Sequence, residues 1–117
     1  MAAGVAQIPW YATLFRCDEF AEALTEIAPI AMRYGATDYL VYRNRDDMYK
    51  FQQCATFESK SQFEAYWYGP EFNHFRAAYS SYYQVPVLYV WNDMIVQGAL
   101  DEAPTSIVGA PAEGDTV

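Results

Sequence analysis

The sequence has few of the residues that metal and nucleotide sites require. One histidine, His74, and two cysteines, Cys17 and Cys54, occur in 117 residues. One imidazole and two distant thiols cannot supply a zinc site of the usual nitrogen and sulfur type. No glycine-rich phosphate loop occurs, which argues against a nucleotide cofactor. We therefore expect a protein that holds no metal and no cofactor.

Basic residues and long apolar runs are also scarce. Seven Lys and Arg stand against fifteen Asp and Glu, giving a net charge of −8 and a pI near 4.3. This balance excludes a general nucleic-acid-binding surface, and no stretch approaches the 18 apolar residues of a membrane span. The N-terminus lacks the pattern of a secretory signal, and two cysteines make no disulfide framework. We expect a cytoplasmic protein with two free thiols, a single bridge between them being the alternative.

Apolar and aromatic residues are abundant, at 53% and 18% of the chain, which excludes a disordered protein. From Asp101 onward the chain carries four acids, no base and no aromatic residue, a composition typical of a disordered tail. We therefore divide the chain into an N-terminal extension (1–8), one domain (9–100) and an acidic disordered tail (101–117). The tail is either a solubilising extension or an interaction segment.

The first half of the domain alternates strand and helix patterns. Trp10–Cys17 is rich in aromatic residues and predicts a strand. Asp18 predicts a helix N-cap, and the helical spacing after it runs to Gly35, with Pro29 as a kink or restart. Asp38–Arg43 is strand-like again.

The second half repeats the order. After a polar turn, Met48–Phe57 predicts a strand, and Ser61–Glu64 has the pattern of a capping box that begins a helix. Gly69-Pro70 interrupts this helix and restarts it. Val87–Val96 predicts the last strand.

This order predicts an α+β fold, a ferredoxin-like βαββαβ domain with four antiparallel strands and both helices on one face. Val87–Trp91 has no polar side and Trp10–Phe15 has almost none, so we expect both sheet faces to be covered. A second copy, dimerising face to face as an α+β barrel, covers the free face most simply. The alternative is a monomer with an exposed aromatic patch, which is uncommon in soluble proteins.

The stretch Phe57–Phe72 (FESKSQFEAYWYGPEF) resembles the signature of antibiotic-biosynthesis-monooxygenase (ABM) domains in the dimeric α+β-barrel superfamily. It has a strand ending in aromatic-Glu-Ser, a capped Phe-x-Ala helix and a Pro-x-Phe restart. The order of elements fits the superfamily over about Pro9–Gln97. Its members include monooxygenases, haem-degrading enzymes, polyketide cyclases and proteins without known activity. The resemblance therefore implies the fold more specifically than the chemistry.

Two residues are candidate general bases, His74 and Asp93. Histidine is the side chain that ordinarily exchanges a proton near neutral pH, and His74 lies one turn into the restarted helix. It resembles the histidine that haem-degrading members carry in this helix. Those members also carry an Asn on the first strand, which Tyr11–Leu14 lacks, and this departure argues against haem degradation. Asp93 lies in an apolar strand, and burial there would make it a base; a strand-end or interface position is the alternative.

Several aromatic residues are candidates for a substrate pocket. Tyr66 and Trp67 lie where members of the family often carry a pocket Trp, with Phe72 just after them. Tyr11 and Tyr49 lie on predicted strands, and a pocket lined by several tyrosines suits a flat aromatic ligand. Tyr66, Trp67 and Phe72 are alternatively core residues. Arg16 and Arg43 near strand ends are either surface charges or cations that steer an anionic substrate.

Two classes of function follow. The resemblance implies a homodimeric, cofactor-free monooxygenase that acts on an aromatic or polyketide-type molecule, or a cyclase that uses the same pocket. The competing class is a non-catalytic dimer that binds a small molecule or serves as an accessory subunit. A cavity between sheet and helices that contains His74 or Asp93 would favour an enzyme or a binder, and a solid core would favour an accessory protein.

Overall fold

The structure is a computed structural model that describes residues 3–100, so the predicted acidic tail lies outside the described residues. The strands are β1 (Gly4–Tyr11), β2 (Asp38–Arg43), β3 (Lys50–Phe57) and β4 (Val90–Asp93). The α-helices are α1 (Cys17–Ile27), α2 (Lys60–Trp67) and α3 (Pro70–Ala78), and Pro29–Tyr34 forms a 3-10 helix after α1. No helix in this part of the chain has the length and hydrophobicity needed to cross a membrane.

The four strands form one antiparallel sheet in the order β2-β3-β1-β4, and the helices pack on one face. The predicted α+β, ferredoxin-like fold is confirmed. Pro29 and Pro70 interrupt the helices as predicted. Pro29 lacks the amide hydrogen that would continue α1, and the chain goes on as a 3-10 helix. Pro70 is the first residue of α3 and separates it from α2.

Several predicted boundaries were wrong, including the start of β3, which is Lys50 instead of Met48. The first strand runs over Gly4–Tyr11 instead of Trp10–Cys17, so residues 4–8, expected to precede the domain, are part of its sheet. The helix N-cap is Arg16, and Asp18 lies in the first turn of α1, where its charge still complements the helix dipole. The last strand is limited to Val90–Asp93, the stretch that pairs with β1.

The cap of α2 lies two residues earlier than predicted. Ser59 is the N-cap, and its hydroxyl accepts a hydrogen bond from the Gln62 amide at 3.3 Å. The Gln62 side chain in turn accepts a hydrogen bond from the amide of Glu58 at 3.0 Å. This arrangement is a variant of the capping box in which the Gln62 side chain binds the amide of the residue before the N-cap. Ser59 and Gln62 form it, in place of Ser61 and Glu64.

The core between sheet and helices is filled by aromatic rings. Trp10, next to the C-terminal end of β1, is 2% exposed and contacts the rings of Phe20, Trp67, Phe72, Phe75 and Tyr83 at centroid distances of 5.0–6.4 Å. Edge-to-face and offset pairs of this kind add to the stabilisation that burial of apolar area gives. The core therefore joins α1, α2 and α3 to β1.

A network of buried hydrogen bonds crosses this core. The Trp10 indole donates to Gln53 Oε1 at 2.9 Å, and Gln53 Nε2 donates to the Tyr66 hydroxyl at 2.9 Å. Tyr66 donates to the carbonyl of Ile27, at the end of α1, at 2.6 Å. Each of these three side chains thus has a partner, as buried polar groups require. The network connects β1, β3, α2 and α1.

The sheet face away from the helices carries little charge at its centre. Register and burial place its middle row at Leu40, Cys54, Gln7 and Val90, on β2, β3, β1 and β4. Leu40 is 57% exposed. We call this the outer face; its charged residues, Asp38 and Lys50, lie at strand ends.

Tyr89 and Trp91, in the segment Val87–Trp91 that has no polar side, lie on the helix side of the sheet. Trp91 pairs with Ala6, whose side chain is buried under the helices. Its ring lies 6.1 Å from that of Phe63, and the Tyr89 ring lies 4.7 Å from the same ring. The apolar residues of this segment therefore fill the core of their own protomer.

We predict that Gly69→Ala destabilises the fold. A Cβ atom at this position would lie 2.6 Å from the carbonyl oxygen of Ala65 and 2.8 Å from the Tyr34 hydroxyl, and the carbonyl belongs to backbone that cannot turn aside. Overpacking of this kind costs about 1–3 kcal/mol. Urea denaturation measures the loss, and Gly98→Ala is the control because nothing lies within 4 Å of its new Cβ. Equal midpoints for both variants would contradict the prediction.

A second prediction concerns the buried hydrogen-bond network. Tyr66→Phe removes the hydroxyl and leaves Gln53 Nε2 and the Ile27 carbonyl without a partner. An unsatisfied buried polar group costs about 1–3 kcal/mol, so the free energy of unfolding should fall by at least that amount. Tyr68→Phe is the matched control, since Tyr68 is 63% exposed. If both variants unfold at the wild-type denaturant concentration, the network does not stabilise the protein.

Candidate functional site

A groove of about 450 Å³ lies between the end of α1 and α3, and His74 lines it. Because Pro70 begins α3, His74 lies one turn further along the same side of the helix, beside Glu71 and Ala78. Phe75 and Ile27 form part of the apolar wall. We call this the His74 groove. It contains one of the two predicted bases.

Two carboxylates flank the His74 groove. Glu26 accepts a hydrogen bond from the Tyr79 hydroxyl at 3.0 Å, and this bond raises the pKa of Tyr79. Glu71 accepts a hydrogen bond from Tyr34, which lowers the pKa of the Glu71 carboxyl, and Arg33 lies 3.9 Å away. The groove thus carries anionic groups on both sides and favours an uncharged or cationic ligand over an anion.

The His74 imidazole is exposed, and within residues 3–100 the structure gives it no hydrogen bond. Both ring nitrogens are therefore available to a ligand. A neutral imidazole has one nitrogen that can accept a proton, as a general base requires. The groove is open to water, so the base would act on a ligand that covers it.

The predicted pocket residues Tyr66, Trp67 and Phe72 lie in the packed core. Tyr66 is 1% exposed, Phe72 is fully buried, and Trp67 is 8% exposed. Burial raises the pKa of the Tyr66 phenol, whose oxygen has two hydrogen-bond partners. The Arg76 guanidinium lies 4.8 Å from the Trp67 ring and donates to the Trp67 carbonyl. None of the three lines a cavity described here.

The structure brings Tyr11 and Tyr49 together, apart from the His74 groove. Their rings stack with centroids 6.3 Å apart. The Tyr11 hydroxyl donates to Asp47 at 2.7 Å, which raises the pKa of Tyr11, and the Tyr49 hydroxyl accepts from the amide of Phe15 at 3.1 Å. Tyr11 also lines a 280 Å³ cavity beside Pro86. Both hydroxyls have protein partners and fix the turns beside the sheet.

Asp93 is exposed at the end of β4, where it pairs with Gly4. It therefore lacks the burial that would make it a base within an apolar strand. None of the cavities described here contains both Asp93 and His74. The strand-end alternative is the one that agrees with this position.

A second cavity lies between α1 and the edge strand β2, with a volume of about 390 Å³. Its walls include Ala21 and Leu24 from α1, Ala28 at the C-cap of that helix, and Val41 and Arg43 from β2; Phe51 is also part of the lining. We call it the α1–β2 cleft. Of these lining residues, Arg43 is the one that the sequence indicated as a candidate. A further signal in the sequence is the pair Ala21 and Ala28, one on α1 and one at its C-cap, whose short side chains line the cleft beside β2.

No group of three His, Cys, Asp or Glu side chains that could hold a metal ion occurs within residues 3–100. Cys17 is buried, Cys54 is half-buried, and both thiols are free. Burial raises the pKa of the Cys54 thiol.

Comparison with known proteins finds similarity among solved structures only. No family model matches the chain, and no curated protein matches it. A candidate antibiotic biosynthesis monooxygenase from Nitrosomonas europaea superposes with a TM-score of 0.73 at 14% identity, covering 80% of this chain and 91% of that one. A second, from Bordetella bronchiseptica, gives 0.72 at 11% identity, covering 82% and 100%.

The chain is also similar to a mutant form of SnoaB, a cofactor-independent oxygenase from Streptomyces nogalater. The TM-score is 0.67 at 14% identity, covering 86% of this chain and 98% of that one. The similarity extends over most of each chain, and at these identities it shows the fold alone. The chain has the ABM-like fold that the Phe57–Phe72 stretch predicts.

Proposed function

We propose that this protein is a homodimer that binds a flat aromatic or polyketide-type molecule and oxygenates it without a cofactor, with His74 as the base. In such a reaction a phenol and dioxygen give a quinone and water. One oxygen atom enters the ring, the other leaves as water, and the substrate supplies all the electrons. The part of the protein is to orient the phenol and to remove its proton.

The position of His74 in the groove carries this proposal. An unpaired imidazole beside Phe75 and Ile27 offers a proton acceptor next to an apolar wall that fits an aromatic ring. The volume lies within the range of small-molecule sites. A phenol is uncharged before it reacts, which suits a groove flanked by Glu26 and Glu71. The similarity to a cofactor-independent oxygenase supports the same class of reaction.

The packed core favours a second candidate, a dimer that binds its ligand without turnover. Tyr66, Trp67 and Phe72 leave no water-excluded pocket around themselves, and the His74 groove is open to solvent. Exclusion of water strengthens the electrostatic effects on which such a reaction relies. A cyclase-like enzyme would use the same base for ring closure and would consume no oxygen.

The composition of the outer face supports the homodimer. Its middle row holds Leu40, Cys54, Gln7 and Val90, without a charge. Depletion of charged residues at the centre is typical of protein interfaces, and a two-fold pair would place this row against its own copy.

Two free thiols agree with a reducing cytoplasm.

The base assignment predicts that His74→Ala reduces turnover of a phenolic substrate by about 10²–10⁴-fold, the usual contribution of a general base. Oxygen uptake and quinone absorbance are the measurements. His74 is exposed, so the free energy of unfolding should stay within about 0.5 kcal/mol of wild type. Asp93→Asn is the matched control and should retain full activity.

Three outcomes separate the alternatives. If Asp93→Asn loses activity and His74→Ala keeps it, the base lies on β4 and the His74 assignment is wrong. Ring closure without oxygen uptake, lost in His74→Ala, would identify a cyclase. Ligand binding without conversion, weakened in His74→Ala, would identify the non-catalytic binder.

The dimer proposal predicts that Leu40→Asp yields a folded monomer. The side chain is exposed in the protomer, so a carboxylate there is solvated in the monomer and is buried only against a second copy, where it is costly. Sedimentation at micromolar concentration measures the change. Leu14→Asp is the control, because Leu14 is 69% exposed and lies in a turn outside the sheet. A monomeric wild type would refute the proposal.

A further inference from the structure

We propose that the α1–β2 cleft is a second small-molecule site, which takes an uncharged planar aromatic ligand with a carbonyl acceptor, such as an aryl ketone. The site is separate from the His74 groove and does not depend on the proposed oxygenation. It lies on the other side of α1, at the open edge of the sheet.

The shape of the cleft suits a flat ring. Ala21 on α1 and Ala28 at its C-cap contribute short side chains, and Val41 and Phe51 face them from the sheet. Phe51 is 3% exposed, so its position is fixed by the core. The volume of about 390 Å³ is that of a small-molecule pocket, and the lining is mostly apolar. Both features favour an aromatic ligand.

Arg43 supplies the charged group of the site, whose lining also includes the hydroxyl side chains of Thr25, Tyr39 and Tyr42. Its guanidinium lies 4.9 Å from the centre of the Phe51 ring. Nη2 donates to the carbonyl of Cys17 at 3.1 Å and to Asp18 at 3.2 Å, which holds the planar group in one orientation. Within residues 3–100 the structure assigns no partner to its Nε and Nη1 atoms. Their N–H groups are available to an acceptor on a ligand.

The charges around Arg43 select an uncharged acceptor. Asp18 forms an ion pair with Arg43, and Glu19 and Glu22 line the same shallow depression on the outside of α1. Three carboxylates beside one guanidinium leave the mouth of the cleft negative, so a carboxylate ligand is repelled. A ketone oxygen accepts the same hydrogen bonds without this repulsion.

Three naphthalenes of one shape test the proposal: 2-acetylnaphthalene, 2-naphthoate and 2-ethylnaphthalene. A ketone is chosen because a quinone would react with the free thiols. We expect the ketone to bind most tightly in calorimetric titrations. Its amide shifts in NMR spectra of the full chain should concentrate at residues 21–28 and 41–43. Tighter binding of 2-naphthoate would overturn the choice of an uncharged ligand, and no binding of the ketone at millimolar concentration would overturn the site.

Arg43→Met separates hydrogen bonding from a structural effect. Methionine keeps an apolar stem beside Phe51 but has no donor. We expect the affinity for 2-acetylnaphthalene to fall about tenfold, as for the loss of one hydrogen bond to a charged group, and that for 2-ethylnaphthalene to stay unchanged. An equal fall for both ligands would mean that Arg43 only maintains the cleft, and would refute its role as donor.

Two further variants fix the location. Ala21→Leu fills the cleft from α1 and should abolish binding of the ketone. His74→Ala should leave that binding unchanged. If His74→Ala removes it instead, the ligand occupies the His74 groove and the second site does not exist. These variants are assessed by ligand binding and not by oxygen uptake, so their results are independent of the proposed reaction.

Discussion

The buried hydrogen-bond network from Trp10 through Gln53 and Tyr66 to the carbonyl of Ile27 determines where the rest of the structure can be open. It passes through the middle of the space between sheet and helices, and it requires Tyr66 to point inward. The hydroxyl also gives a partner to a carbonyl at the end of α1, where helices leave such groups unpaired. The core around this network is closely packed, and the His74 groove and the α1–β2 cleft lie at its edges.

The break at Gly69-Pro70 explains why His74 faces one of these edges. A continuous helix would keep one apolar stripe against the sheet, whereas a restart sets the direction of α3 independently of α2. The close contacts of Gly69 with Ala65 and Tyr34 leave no room for a side chain at the break. Phe72 and Phe75 then face the core, and His74 lies beside the end of α1. The Gly69-Pro70 break, which belongs to the stretch that resembles ABM domains, therefore has a structural role that does not depend on catalysis.

Much of the fold could be predicted from local pattern, because Pro29, Pro70 and the polar turn before β3 interrupt the chain where the elements change. It was harder to predict which side chains of each strand face the helices. Trp91 is equally apolar on either side of a sheet, and only its pairing with Ala6 decides that it points toward the helices. The site was harder still. Tyr66 and Trp67 have the composition of a pocket wall, but whether such rings enclose a space or fill it depends on Trp10 and Phe72, which belong to other elements of the fold.

The two cavities differ because α1 presents different residues to its two sides. Toward α3 it offers Glu26 and Ile27, and the only histidine lies opposite. Toward β2 it offers alanines, and Arg43 lies opposite, paired with Asp18. One side therefore combines a proton acceptor with an apolar wall, and the other combines hydrogen-bond donors with an aromatic floor. In a chain with a net charge of −8, carboxylates flank both cavities, and this favours uncharged ligands at each. The chemistry that distinguishes the two sides rests on His74 and Arg43, since carboxylates and apolar side chains occur at both cavities.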